Sequence, residues 1–386
     1  MTETAKQLRM DIQGLRGLAI LLVIALHAGF APLPGGYIGV EVFFVISGYV
    51  VTASMLRKDP KALKFNLRNF YVKRVLRILP SSTAVIIATV FAAVLLLGPA
   101  FNSDLFTDAK WAGFFATNFR LIDTGANYFI AGLDKSLLTH YWYLAIENQV
   151  YLVYPLMVFV IWRLTPARAS RPVLASLLLV SLALSGFWSI TMTLSDSVTA
   201  YYSPLTRIWE LALGGLVALL PLRMKHAPTW LRNISSVLGL ATIAAVAVLF
   251  DATTAYPGYL AALPAFATAA IIWAGIADKI SGPNLWLGFR PLAYLGEISY
   301  SLYLWHFGWL YLPTLMPDPP TGWWVLPLQF AGAFGSAILS HHLLENRIRK
   351  SRLLNQDGWA TLLFAAVCLV LIWDATLAAE SLWLNL

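Results

Sequence analysis

Charge is scarce in this sequence. Asp, Glu, Lys and Arg together make up 12% of its 386 residues, whereas 59% are hydrophobic. A soluble domain carries about twice that share of charge, so a soluble globular enzyme is excluded, and disordered and coiled-coil chains, which are more polar still, are excluded with it. Cysteine is nearly absent. The single Cys368 lies in an apolar run, which leaves no intramolecular disulfide and no cysteine-based metal site. No metal site is expected from any other cluster. There is no internal repeat, low-complexity linker or composition break, so residues 1–386 read as one polytopic body. The formal net charge of +8 falls in the segments between apolar runs, which argues against nucleic acid as a partner and for a lipid bilayer.

Long apolar runs dominate what is present. A membrane helix needs roughly 20 apolar residues to cross about 30 Å of hydrocarbon. That rule predicts eleven spans, near 12–31, 36–56, 80–98, 140–162, 173–194, 205–222, 234–250, 259–277, 292–313, 323–344 and 359–379, in an all-α integral membrane protein. Between them, 99–139 is expected to hold an interfacial or re-entrant piece, because the apolar stretch 111–119 is too short to cross.

Lys and Arg set the orientation, since basic loops stay cytoplasmic. With the N-terminus inside, only Lys110, Arg120, Lys135 and Arg207 fall outside, while Asp104, Asp108, Asp123, Asp134, Asp196, Asp251, Asp318 and Glu380 make the exterior acidic. An odd number of spans then puts the C-terminus outside, on the periplasmic or exterior face. The first apolar run could pass for a cleavable signal, but the spans that follow make it an ordinary first helix.

Ionisable groups at bilayer depth cost several kcal/mol unless paired or facing a wet cavity, so each is a functional candidate. Arg16, His27, Glu41, Glu147, Glu210, Glu297 and His306 are such groups, and Asp374 in the last span stands apart from them. Arg16 and His27 are eleven residues apart, three helical turns, so they share a face and lie roughly 16 Å apart along the axis. The turn Pro32-Leu33-Pro34-Gly35-Gly36 makes the first two helices antiparallel neighbours and puts His27 and Glu41 at similar depth. A His27–Glu41 pair would suit general-base chemistry on a hydroxyl, while the blander alternative is a histidine bonded to a backbone carbonyl.

The segment 57–77 carries Arg57, Lys58, Lys61, Lys64, Arg68, Lys73, Arg74 and Arg77 against one acid, Asp59. Its first half reads as the positive-inside signal and attraction to anionic lipid. Arg74 and Arg77 are i and i+3 at a helix start, and two guanidinium forks side by side suit a polyphosphate. His140-Tyr141-Trp142-Tyr143 leads to Glu147, Asn148 and Gln149, and Ser299-Tyr300-Ser301 leads to Trp305 and His306, both from the outer side. Interfacial aromatic belts account for Trp142, Trp305 and Trp309 without a function, yet the same rings would stack on a sugar. Arg207 and Glu210 are spaced for an i, i+3 pair.

Taken together, these segments resemble one family. The run Met10-Asp11-Ile12-Gln13-Gly14-Leu15-Arg16-Gly17 leading to His27, Gly39-Val40-Glu41-Val42-Phe43-Phe44 leading to Gly48, and Arg74-x-x-Arg77-Ile78-x-Pro80 are similar to the membrane-bound acyltransferase-3 family. So, further on and in order, are 142–151, 207–214, 299–306 and Glu345-Asn346-Arg347. The resemblance implies a bacterial inner-membrane enzyme that moves an acyl group, most often acetyl from cytoplasmic acetyl-CoA, to a hydroxyl of a cell-envelope carbohydrate such as lipopolysaccharide O-antigen or peptidoglycan. It implies His27 as the essential catalytic residue, Arg16 as a required first-helix arginine, and Arg74 and Arg77 as the pair associated with the acyl-CoA donor; Lys73 and Arg16 are read as further cations along the path of that donor. The acyl-CoA is a donor substrate, and no cofactor is expected to stay bound.

Glu147, Trp142, Trp305 and His306 are the candidates for the acceptor end. Glu41 stands where the family commonly has Asp, Tyr143 where it has Ser, and Asn148 where it has Glu. Some relatives use an eleventh helix to deliver an exterior SGNH-type hydrolase-fold domain. An eleventh apolar run is present here at 359–379, so such a domain or a separate protein is an expected partner. The rival classes are a transporter, which predicts paired discontinuous helices in two related halves, and an accessory subunit without chemistry.

Overall fold

A computed structural model describes residues 9–56, 66–98, 101–128, 136–220, 227–276 and 280–385. Lys6, Arg57, Lys58, Asp59, Lys61, Lys64, Asp134, Lys135, Arg223, Lys225 and Lys279 lie outside the described residues. The described elements are helical: α1 Met10–His27, a 3-10 turn Gly36–Ile38, α2 Gly39–Leu56, α3 Leu67–Leu97, α4 Asp104–Gly113, α5 Thr117–Asp123, α6 Tyr141–Leu164, α7 Ala167–Ser195, α8 Ser197–Tyr202, α9 Ile208–Leu219, α10 Thr229–Leu249, α11 Ala262–Ala274, α12 Pro283–Leu287, α13 Arg290–Tyr311, α14 Val325–Leu339, a π-helical turn Ser340–Glu345, α15 Asn346–Arg349, α16 Arg352–Gln356 and α17 Gly358–Leu384.

Seven described helices are long and apolar enough to cross a membrane: α1, the segment Gly36–Leu56, α3, α6, α7, α10 and α17. Leucine, valine and phenylalanine side chains such as Leu95, Leu152, Val153, Leu184 and Phe187 are exposed on them, as expected of surfaces bathed in lipid. The other four expected spans are helical but differ from the expectation. Those at 205–222 and 259–277 shorten to 12 and 13 residues. The span at 292–313 is a 22-residue helix that carries Arg290 and Glu297, and that at 323–344 is a 15-residue α-helix continued by the π turn. The stretch 111–119 is not one piece. It is broken after Gly113, where Phe115 adopts φ 52°, and resumes as α5.

The chain divides into two compact units. One comprises 1–62, 165–200 and 205–300; the other comprises 63–164, 201–204 and 301–386. In the first, α2 packs along α9, α7 packs on α9, and α10 on α11. The α2–α9 approach depends on glycine: a Cβ on Gly48 would stand 1.9 Å from the Leu211 carbonyl oxygen, and one on Gly214 2.0 Å from that of Val45. Backbone cannot yield to such an overlap, so these two positions let the helices touch main chain to main chain.

In the second unit, α17 lies against α3, and α4 against both. Helix α3 starts on an Asn66 cap whose side chain accepts the Asn69 N–H at 3.0 Å. Its 31 residues span about 47 Å, more than hydrocarbon requires, so its basic first turns extend beyond the apolar stretch that begins near Pro80.

Candidate functional site

In the first unit, Arg16 and His27 lie on α1, half-buried, with His27 its last residue. Gly296 lets α13 meet α1: a Cβ there would stand 1.7 Å from the Gln13 carbonyl oxygen. One turn on, Arg16 Nη2 donates to Ser299 Oγ at 2.9 Å. The arginine is thereby fixed to a helix 283 residues away in sequence, a partner that no spacing rule could have supplied.

Glu41 is buried near the start of α2, and its defined partner is Arg207. The Arg207 Nη1 donates to Glu41 Oε1 at 2.8 Å and to Glu210 Oε1 at 3.3 Å, with all three side chains 0–1% exposed. The i, i+3 pair expected between Arg207 and Glu210 is therefore present, and Glu41 joins it from α2. Arg207 is fully buried, where two carboxylates offset the desolvation of its charge. Tyr256 closes the cluster, with its ring centroid 5.7 Å from the guanidinium carbon and 4.8 Å from the Tyr37 ring. Glu297 is exposed on α13, and in the second unit Asp374 is exposed on α17.

In the second unit, Arg74 and Arg77 stand half-buried on α3 with Lys73 exposed between Val72 and Arg74. Arg74 lies over the Tyr151 ring at 3.9 Å, close enough for a strong cation–π contact, and 5.5 Å from the Phe70 centroid. Tyr151 donates its O–H to Glu147 Oε1 at 2.6 Å, one turn back on α6. Glu147, assigned to the acceptor end from the sequence, is thus drawn through Tyr151 toward the arginine-bearing helix. Tyr151 was missed as a site residue, although its i+4 spacing from Glu147 is the signal that could have found it.

His306 is fully buried on α13, and its Nδ1 donates to the carbonyls of Tyr303 at 2.7 Å and Leu302 at 3.2 Å. The unheralded His140 lies 5.7 Å away between ring centroids, stacks on Phe307 at 4.8 Å, and donates from Nε2 to the Leu304 carbonyl at 3.1 Å. Carbonyls only accept, so both tautomers follow, and each ring presents its other nitrogen as an acceptor. Trp142 is buried against the rings of Tyr201, Tyr202 and Tyr128 at 4.7, 5.6 and 6.3 Å, so it serves an aromatic core and not an open sugar platform. Trp305 is half-buried. With Val85, Thr89, Leu304, Trp309 and Leu312 it lines an apolar cavity of about 180 Å³. No group of three or more candidate metal ligands occurs among the described residues.

Known proteins can be set beside this geometry. A family model for an acyltransferase domain matches residues 10–342. The chain is 32% identical over 359 residues to the peptidoglycan O-acetyltransferase OatA of Listeria monocytogenes, covering 89% of this chain and 56% of that protein. It is 30% identical over 307 residues to the O-acetyltransferase OatA of Staphylococcus aureus, covering 77% and 49%. The chain thus spans about half the length of these relatives. No solved structure matches it significantly. The matched region runs from the first residue of α1 through the helix carrying His306 to the π turn, and with its apolar helices it establishes that the chain belongs to the acyltransferase-3 family of multi-pass membrane proteins.

Proposed function

We propose that the protein transfers an acetyl group from acetyl-CoA, on the cytoplasmic side, to a hydroxyl of a cell-envelope glycan. Peptidoglycan is the acceptor that the names of the relatives favour over O-antigen. The observation that carries the donor half is the arginine pair: Arg74 and Arg77 share a face on the part of α3 that outruns the apolar stretch, with Arg74 held on Tyr151. Two oriented guanidinium forks suit the pyrophosphate and 3′-phosphate of CoA, with Lys73 adding charge. Arg16, fixed by Ser299, is the fourth donor-side cation.

His27 is the proposed proton acceptor, with Glu41 as its proposed partner in orientation. The acceptor O–H gives its proton to the imidazole, the oxygen bonds to the thioester carbonyl carbon, the C–S bond breaks, and the proton passes to the departing thiolate. The products are a glycan acetyl ester and CoA. The alternative route has His27 itself take the acetyl group and pass it on. Trp305 and His306 are the proposed contacts of the acceptor end. An exterior SGNH-type domain or protein is the proposed partner that completes delivery to the glycan.

The test uses membrane vesicles and acetyl-CoA labelled in its acetyl group, comparing the unaltered protein with His27→Ala. Base-labile label in the glycan fraction that depends on His27 is the expected result. Label in both samples removes His27 from the chemistry, and label on O-antigen but not peptidoglycan reverses the acceptor assignment. Transient label on the protein that is lost in acid and to hydroxylamine, as an N-acylimidazole is, and is absent in His27→Ala, selects the acyl-histidine route.

A further inference from the structure

The π turn Ser340–Glu345 lies against α3, the helix that bears the arginine pair. A π turn interrupts an α-helix only where something holds it, and such turns gather at functional sites. Here Ser340 Oγ donates to Ser81 Oγ at 3.1 Å. Ser81 is four residues beyond Arg77, on the same face of α3. At the other end of the turn, Glu345 is 2% exposed. Its Oε2 accepts from His341 Nδ1 at 3.0 Å and from Ser301 Oγ at 3.4 Å, and its Oε1 lies 3.7 Å from Arg349 Nη1. Arg77, one turn before Ser81 on that face, is turned by this packing toward the end of the π turn that holds the carboxylate. The two helices therefore face each other in antiparallel register, Ser81 on Ser340 and Arg77 toward Glu345.

We infer that Glu345, oriented by His341 and Ser301, is a positioning residue that holds the Arg77 guanidinium for the phosphates of the acyl donor. A guanidinium offers five N–H donors in a rigid fork, so a carboxylate can fix one side while the other remains for an anion. His341 and Glu345, four residues apart, share one face of the π turn, each 1–2% exposed. The same carboxylate offsets the charge of Arg77 before donor binds, which keeps the arginine from pairing elsewhere. This inference rests on the donor role proposed above for Arg77.

Initial rates in vesicles, as a function of acetyl-CoA concentration and normalised to folded protein, test it. Glu345→Gln is expected to raise the KM for acetyl-CoA on the order of tenfold, since the negative charge that faces Arg77 is lost, while kcat changes less. Glu345→Asp should recover part of that affinity. Combined with Arg77→Ala, Glu345→Gln should add nothing to the KM of the single Arg77→Ala variant, because it acts through that arginine. An unmoved KM in Glu345→Gln, or full additivity with Arg77→Ala, overturns the inference. Where Glu345→Gln does not accumulate, His341→Asn serves, with a smaller rise in KM expected and an unchanged KM overturning it. If the unaltered protein shows no saturable dependence on acetyl-CoA, the donor reading falls and the inference with it; saturation with an unmoved Glu345→Gln overturns the inference alone.

Discussion

Replacing Arg207 by Met probes the most deeply buried charges of the first unit. The change keeps the aliphatic stem and deletes the guanidinium that donates to Glu41 at 2.8 Å and to Glu210 at 3.3 Å. Both carboxyls are then stranded with at most 1% exposure. Removing one partner of a buried ion pair costs about 3–5 kcal/mol, and two carboxyls depend on this one arginine, so the upper part of that range applies. For a domain of this size the loss corresponds to a fall in Tm on the order of 10 °C. The assay is the fraction of detergent-solubilised protein that stays monodisperse after heating to graded temperatures. The triple variant Glu41→Gln, Arg207→Met, Glu210→Gln should regain most of the loss, because amides of the same shape carry no charge to strand. A Tm for Arg207→Met within about 2 °C of the unaltered protein would refute the reasoning, as would a triple variant no better than the single one.

Three further outcomes follow from particular contacts. Gly296→Ala places a Cβ 1.7 Å from the Gln13 carbonyl oxygen, so α13 must move off α1 and the Arg16–Ser299 bond must break; acetyl transfer should fall with Arg16→Ala and Gly296→Ala alike, and retained activity in Gly296→Ala would contradict the close approach. Tyr151→Leu removes the ring under Arg74, a contact of about 1–2 kcal/mol, whereas Tyr151→Phe removes only the hydrogen bond to Glu147; the KM for acetyl-CoA should rise more for Leu than for Phe, and the reverse order would make Glu147 the important partner. Trp142→Ala should lose about 3–5 kcal/mol of stability by emptying an aromatic core, while Trp305→Ala, at a half-open cavity, should melt nearer the unaltered protein and lower use of the glycan acceptor. Equal melting losses for the two tryptophans would place Trp305 in the core as well.

Composition decided that this is a membrane protein, because 12% charge cannot clothe 386 residues in water, and apolar runs of roughly 20 residues made it helical. Helical periodicity decided that Arg16 and His27 share a face, that Arg74 and Arg77 do, and that Arg207 meets Glu210, since the first two are intervals within one helix and the third joins the first turn of α9 to the residue just before it. The span count was less legible: apolarity at 205–222 and 259–277 signals burial equally in lipid and in protein, and both proved to be short helices packed on α2. Only tertiary structure joined Glu41 to Arg207 across 166 residues and Arg16 to Ser299 across 283. It also turned Trp142 inward on tyrosines, set Arg74 on Tyr151, and inserted the π turn that bonds to α3 through Ser340 and Ser81. The physical reason is the same in each case. Periodicity states which side of a helix a residue occupies, but which neighbour lies on that side depends on how closely two backbones approach, and that distance is set by pairs such as Gly48 and Gly214 acting together in space.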